Sequence, residues 1–174
     1  MLLHINRKSV DEDAMDIVGF EKHDHTSCID ALIAWAETVC RENNLQFTPG
    51  RRRVLEILAE EHKAMGAYDI LERLAQEGRG SQPPVAYRAL DFLVRHGFAH
   101  KIEHLNAYIA CAHPRDCHMP AFLICRACDT VAETIWTPRR GGFAQTARST
   151  GFNIEHTVVE ATGLCPQCDV EHRA

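Results

Sequence analysis

No run of apolar residues in this 174-residue chain approaches the length of a bilayer-crossing helix. A membrane-spanning segment is therefore not expected. The opening, Met1-Leu2-Leu3-His4, lacks the long apolar stretch of a secretory signal. A cytoplasmic protein with reduced thiols is expected. Positive charge is also scarce: 19 Lys and Arg stand against 24 Asp and Glu, a net of −5. That balance argues against a non-specific nucleic-acid binder. The deficit is uneven, however. Residues 1–30 carry three Lys/Arg against seven Asp/Glu, whereas residues 47–101 carry nine against seven. A local basic face on an acidic protein is compatible with this, with Arg51, Arg52 and Arg53 at the front of the basic segment. The length suits one or two small domains, and the 45% hydrophobic fraction is ordinary for a chain with a real core.

Cysteine, by contrast, is present in two matched pairs. Cys125-x-x-Cys128 and Cys165-x-x-Cys168 flank 36 residues. Each pair places two thiolates on one tight turn, and four thiolates meet the tetrahedral demand of Zn²⁺. Such a closed site leaves no position for substrate and reads as structural. Two disulfides or a redox pair are the alternative. Neither motif sits at a thioredoxin-like strand–helix junction, which favours the metal.

Hydrophobic periodicity organises the rest. Residues 1–27 are acidic and aperiodic and read as a mobile tail, with His23-Asp24-His25 solvated within it. A helix begins near Ile29, carries Leu32, Ile33, Trp35, Ala36, Val39 and Cys40 on its apolar stripe, and ends at Asn43-Asn44. Thr48 and Pro49 open a second helix, with Val54, Leu55, Ile57 and Leu58 inward. A third runs from about Ala67 to Gln76 and stops at Gly78. Gln82-Pro83-Pro84 opens a fourth that ends at Gly97. Its apolar arc holds Val85, Ala86, Ala89, Leu90, Phe92, Leu93 and Val94. Tyr87, Arg88, Asp91 and Arg95 remain on the opposite arc, with Asp91 at ion-pair spacing from both arginines. An ordinary solvated face is the alternative for that arc.

From Phe98 to Cys111 the period changes to that of a β-hairpin, turning around Leu105-Asn106-Ala107. Helices followed by a hairpin outline a winged helix-turn-helix, whose last helix enters the DNA major groove. This domain is assigned to residues 28–111, and the polar stretch 112–120 reads as a linker. Residues 121–174 form a small α/β module. Its strands are expected at Ala121–Ile124, Thr130–Trp136 and Asn153–Ala161, with a helix over Pro138–Ser149 weakened by Gly141-Gly142. The fold class is α+β.

The hairpin suggests a second metal site. A turn centred between Leu105 and Asn106 puts His100 opposite Cys111 on one face of the ribbon. His118 in the linker and Glu133 on a later strand would complete a mixed N/S/O tetrahedron for Zn²⁺, with His113 and Cys117 as possible substitutes. An incidental His–Cys pairing is the alternative. A metal here would fix one domain against the other. No separate general base stands beside the set, which weighs against a zinc hydrolase and against an enzyme.

Several motifs now align. They are Leu45-x-Phe47-Thr48-Pro49-x-Arg51, Ala67-Tyr68-Asp69-Ile70-Leu71, Pro83-Pro84-Val85-Ala86-Tyr87-Arg88-Ala89-Leu90-Asp91-Phe92-Leu93 and Gly97-Phe98-Ala99-His100-Lys101, together with Cys125-Arg126-Ala127-Cys128 and Val159-Glu160-Ala161-x-Gly163-Leu164-Cys165. The chain resembles the ferric uptake regulator family, in its zinc-sensing branch, from about Ile29 to Cys168. The resemblance implies a zinc-responsive transcriptional repressor. It implies a homodimer, built from a winged-helix domain and a C-terminal dimerisation domain, that binds pseudo-palindromic double-stranded operators of zinc-uptake genes. Tyr87 and Arg88 match the pair that touches bases, with Arg95 on the same face, and Arg51 matches a region near the phosphate backbone. Two zinc ions per subunit are implied: a structural one at Cys125, Cys128, Cys165 and Cys168, and a regulatory one at His100, Cys111, His118 and Glu133. An iron- or peroxide-sensing member is the alternative. His113-Pro114-Arg115-Asp116-Cys117-His118 stands where the iron branch carries a His-rich run. Val85-Ala86 replaces a usual Thr-Val, Gly50 a common Gln, and residues 1–27 find no counterpart.

Overall fold

Thr48 is in extended conformation and accepts the Arg51 N–H through its hydroxyl, while Pro49 occupies the first helical turn. This cap starts α2 (Pro49–Ala59), which follows α1 (His25–Glu42). α3 (Ala67–Gln76) starts with the Asp69 carboxylate accepting the Gly66 N–H, and α4 (Pro83–Arg95) starts on its proline pair. The computed structural model describes residues 19, 25–61, 63–79, 82–114, 119–136, 143–155 and 157–173. Ala36, Leu55, Leu58, Ile70, Leu90, Leu93 and Phe98 form the centre of the helical core. Trp35 meets Phe98 edge-on, centroids 5.1 Å apart, and so ties α1 to the end of α4. Gly97, at φ +72°, turns the chain out of α4 as the positive-φ residue that ends many helices.

Several expectations change here. α1 starts at His25 rather than near Ile29, so residues 25–27 belong to a helix and not to a tail. Gly19 is buried, with a φ of +136°; a Cβ there would stand 2.7 Å from the Val131 carbonyl oxygen and 2.8 Å from Ala132 Cα. That point of the expected tail is packed against a strand, at a spot only glycine fits. His23 and Asp24 lie outside the described residues. On α4, Val85 is 54% exposed and Val94 37% exposed, so the buried arc is narrower than the apolar one. Among the described residues Asp91 forms no ion pair with Arg88 or Arg95.

The expected basic front is also altered. Arg53 bonds Glu77 at 2.6 Å, Glu60 at 3.0 Å and Glu56 at 3.1 Å, while Arg52 pairs with Glu37 and Glu56, and Arg73 with Glu60. These pairs knit α1, α2 and α3 together. Hydrogen bonding to Glu77 first, offset by burial, then Glu56 and Glu60, holds the Arg53 guanidinium firmly protonated. Removing its charge leaves carboxylates facing one another. Arg53→Met should therefore lower the urea midpoint, and more at low salt than at high, because the exposed repulsion it uncovers is screened.

Beyond α4, β1 (Ala99–Ile102) and β2 (Ala107–Ala110) form the hairpin. Ala99 faces Ala110 and His100 faces Ile109, not Cys111. The loop is Glu103–Asn106, closed by Asn106 in a left-handed conformation at φ +47°. The turn is centred one residue earlier than expected, so each partner shifts by two. A shift of two keeps every side chain on its face.

The C-terminal part holds β3 (Pro120–Cys125), β4 (Val131–Ile135), α5 (Phe143–Ser149), β5 (Val159–Gly163) and α6 (Pro166–Arg173). Its sheet runs β4-β3-β5, with β3 antiparallel to β4 and parallel to β5. β5 is shorter than the expected Asn153–Ala161 strand, and α6 has no counterpart in the sequence reading. α5 starts only after Gly141-Gly142, and residues 137–142 lie outside the described ones. The hairpin lies on this sheet. Ile102, Ile109, Phe122, Ile124 and Val131 share a second buried cluster with Ala64 and Leu105. Met65 exchanges both backbone hydrogen bonds with Tyr108, at 2.8 and 2.9 Å, and Lys63 bridges Thr130. The α2–α3 connection thus ties hairpin to sheet.

Candidate metal centres and nucleic-acid interface

Cys125 ends β3, and Cys128 follows on a turn whose Asp129 is left-handed at φ +59°. Cys165 lies just beyond β5 and Cys168 in the first turn of α6, so this pair, contrary to the sequence expectation, does stand at a strand–helix junction. The parallel pairing of Cys125 with Gly163 brings the two motifs side by side. One ligand atom from each of the four lies within 4.8 Å of every other. Cys128 and Cys165 Sγ are 3.8 Å apart, too far for a disulfide and close to the edge of a tetrahedron with Zn–S bonds of about 2.3 Å. Burial opposes the Cys125 thiolate, but the backbone N–H groups of Cys165, Ala127 and Cys128 outweigh it and pull its pKa down to about 6. The Cys168 thiol is pushed up, by hydrogen bonding to Cys165 and then by burial. One ready thiolate among close thiols suits a cation that will deprotonate the rest.

The second cluster joins hairpin to sheet. His100, Cys111 and Glu133 also place ligand atoms within 4.8 Å of one another. His100 Nε2 stands 3.4 Å from Glu133 Oε1, and Cys111 Sγ 3.9 Å from the same oxygen. Those separations approach the edges of a zinc tetrahedron with bonds of about 2.0–2.3 Å. Glu133 is only 2% exposed, a depth at which a carboxylate stays ionised only with a cation or strong hydrogen-bond donors beside it. Its second oxygen accepts the Ala112 N–H at 2.8 Å, which fixes the carboxylate plane. The residues present fit zinc at both clusters. The true register explains how His100 and Cys111 meet. Cys111 lies opposite Phe98, its N–H bonded to the Phe98 carbonyl at 3.0 Å, so the two ligands are diagonal neighbours on one face. His118 and Cys117 lie outside the described residues. His113 is described and partly buried, and the three-residue group forms without it.

The outer arc of α4 presents Tyr87, Arg88, Asp91 and Arg95 to solvent. Arg51 is placed differently. Its guanidinium lies 3.7 Å over the Phe92 ring and donates to the Gln46 carbonyl, bracing α2 against α4. Glu160, which the sequence reading places in a family motif without giving it a role, accepts the N–H groups of Glu103 at 2.7 Å and His104 at 2.9 Å, at the hairpin tip.

Residues 42–162 match the model of the ferric uptake regulator family. The zinc uptake regulation protein of Escherichia coli (strain K12) is 38% identical over 138 residues, 79% of this chain and 81% of its own length.

The chain belongs to the ferric uptake regulator family.

Solved structures of the family agree. A zinc uptake regulator complexed with zinc and DNA is 35% identical, with a TM-score of 0.78 over 84% of this chain and 98% of its own. Holo XcZur is 34% identical, with a TM-score of 0.67 over 83% and 98%. Among the described residues of this family member, no helix is long and apolar enough to cross a membrane.

Proposed function

We propose that this protein is a zinc-responsive transcriptional repressor that binds pseudo-palindromic operators of zinc-uptake genes as a homodimer in the cytoplasm. The observation that carries the reading is the cluster of His100, Cys111 and Glu133, which brings wing ligands to a sheet carboxylate. It is supported by the zinc uptake regulators to which the chain is similar, one of them solved with zinc and DNA.

Residues 28–111 act as the DNA-binding unit, 112–120 as the connection and 121–174 as the dimerisation unit. Each subunit takes two zinc ions. The cysteine cluster is the structural site. His100, Cys111 and Glu133, with His118 as fourth ligand, form the regulatory one. Bound zinc supplies the positive charge that Glu133 and the Cys111 thiolate need in order to stay ionised and close together. With these residues held together, the hairpin has one position on the sheet. α4 then has one orientation relative to its dimer mate, and two such helices can match two half-sites. The regulator reading gives no residue a catalytic role.

Tyr87, Arg88 and Arg95 face the major groove, and Arg51 keeps donors for a phosphate beside its stack on Phe92. Arg88→Ala should relax base preference at one operator position by about 1–3 kcal/mol. Arg51→Ala should weaken all sequences alike and flatten the salt dependence of binding. Footprinting with and without chelator tests the whole reading: protection should appear only with zinc. Protection that ignores the chelator, or that follows iron or manganese instead, overturns it.

A further inference from the structure

The three strands of the sheet carry an unusual row. Phe122 on β3 pairs with Glu133 on β4 and, on its other side, with Glu160 on β5. Residues paired in register share a face, so two carboxylates flank one phenyl ring beneath the hairpin. Each member of the row engages a different part of that hairpin. Glu133 reaches His100 and Cys111. The Phe122 ring lies 5.4 Å from the His100 ring. Glu160 takes the N–H groups of Glu103 and His104.

The dimensions agree. Strands lie about 4.8 Å apart, so two steps across the sheet span about 10 Å; three residues of extended chain, from His100 in β1 to Glu103 at the start of the loop, rise about 10 Å. The hairpin therefore runs along the row and across the strands, with one carboxylate at its base and the other at its tip. The tip contact needs no metal. Two successive backbone N–H groups converging on one carboxylate make a small anion nest, and among the described residues Glu160 belongs to neither metal cluster.

We infer that Glu160 is a positioning residue, a metal-independent clamp that raises the fraction of zinc-free protein in which the hairpin sits on the sheet with the His100, Cys111 and Glu133 ligands together, leaving zinc to complete the shift. This deepens the regulator reading and rests on it. A pre-set site binds zinc more tightly, because a competent arrangement that is populated only in part lowers apparent affinity in proportion.

The test uses the full chain with Glu160→Ala and Glu160→Gln. Zinc is titrated against a chromophoric chelator, and amide exchange is followed at residues 103 and 104. Glu160→Ala should speed exchange at those two amides and raise the zinc needed to fill the second site about tenfold, the effect of losing a charge-assisted pair. The cysteine-bound zinc should be retained. Glu160→Gln keeps an acceptor and should fall between. Unchanged exchange and an unchanged zinc midpoint, in variants retaining the cysteine-bound zinc, overturn the clamp. If Glu160→Ala does not fold, the isosteric Glu160→Gln decides by the same two readouts. The two readings fail separately. Wild-type protein that ignores DNA in zinc sinks the repressor, whereas silent Glu160 variants of a protein that binds DNA sink only the clamp.

Discussion

Cys128→Ser should release one zinc per subunit and unfold the C-terminal sheet while leaving the helical core intact. A structural zinc of this kind contributes of order 10 kcal/mol to folding, and besides it β5 has only its ladder to β3 and the Glu160 contacts with the hairpin tip. Its residues run from half-buried to exposed, and it touches the rest of the sheet through β3 alone. The Arg126 N–H to Gly163 carbonyl bond, 2.9 Å, sits within the cysteine loops and would go with them. The helices rest on a separate cluster centred on Leu55, Ile70, Leu90 and Phe98. Zinc content, thermal unfolding and sedimentation together check this. One lost zinc, a split transition and loss of the dimer are expected. A single wild-type transition with dimer retained would show that the cysteine cluster is dispensable.

Cys111→Ala should have the opposite character. Its thiol is buried at the base of the hairpin, 4% exposed, but the second apolar cluster and the Met65–Tyr108 pairing hold the hairpin without it. The protein should stay folded and dimeric and retain the cysteine-bound zinc. The zinc required for operator binding should rise by at least about 100-fold, since loss of outer-shell partners alone costs 10–100-fold. Gel shifts in buffered zinc read this directly. Repression at the wild-type zinc threshold would remove His100, Cys111 and Glu133 from the regulatory role.

Much of this was legible in the residues. The Thr48 cap, the proline pair at Pro83, the period change at Phe98 and the cysteine spacing are local signals, and the elements they announce stand where expected. The sequence points to the second cluster through a register that the hairpin does not adopt. The loop was centred on Leu105-Asn106, but Asn106 closes a four-residue loop instead of sitting at its middle, a distinction made by one positive φ. Parity rescued the ligands, because a two-residue slip preserves the face. What could not be read was contact across modules. Arg52 and Arg53 look like a basic front until Glu37 from α1 and Glu77 from the end of α3 arrive beside them. Glu160 looks like any charged residue on an edge strand until the hairpin tip lies on it. Gly19 lies in an aperiodic acidic stretch, and only the backbone of β4 gives it meaning.

The pleat of β3 constrains how this architecture can diversify. Glu133, Phe122 and Glu160 share a surface only because the ladder on both sides of β3 keeps step. Adding or deleting one residue within Pro120–Cys125 would turn the ring away and leave one acid or the other beneath the wrong neighbour. Length variation among relatives should therefore gather in the connections between strands, leaving this short segment at constant length even where its amino acids drift.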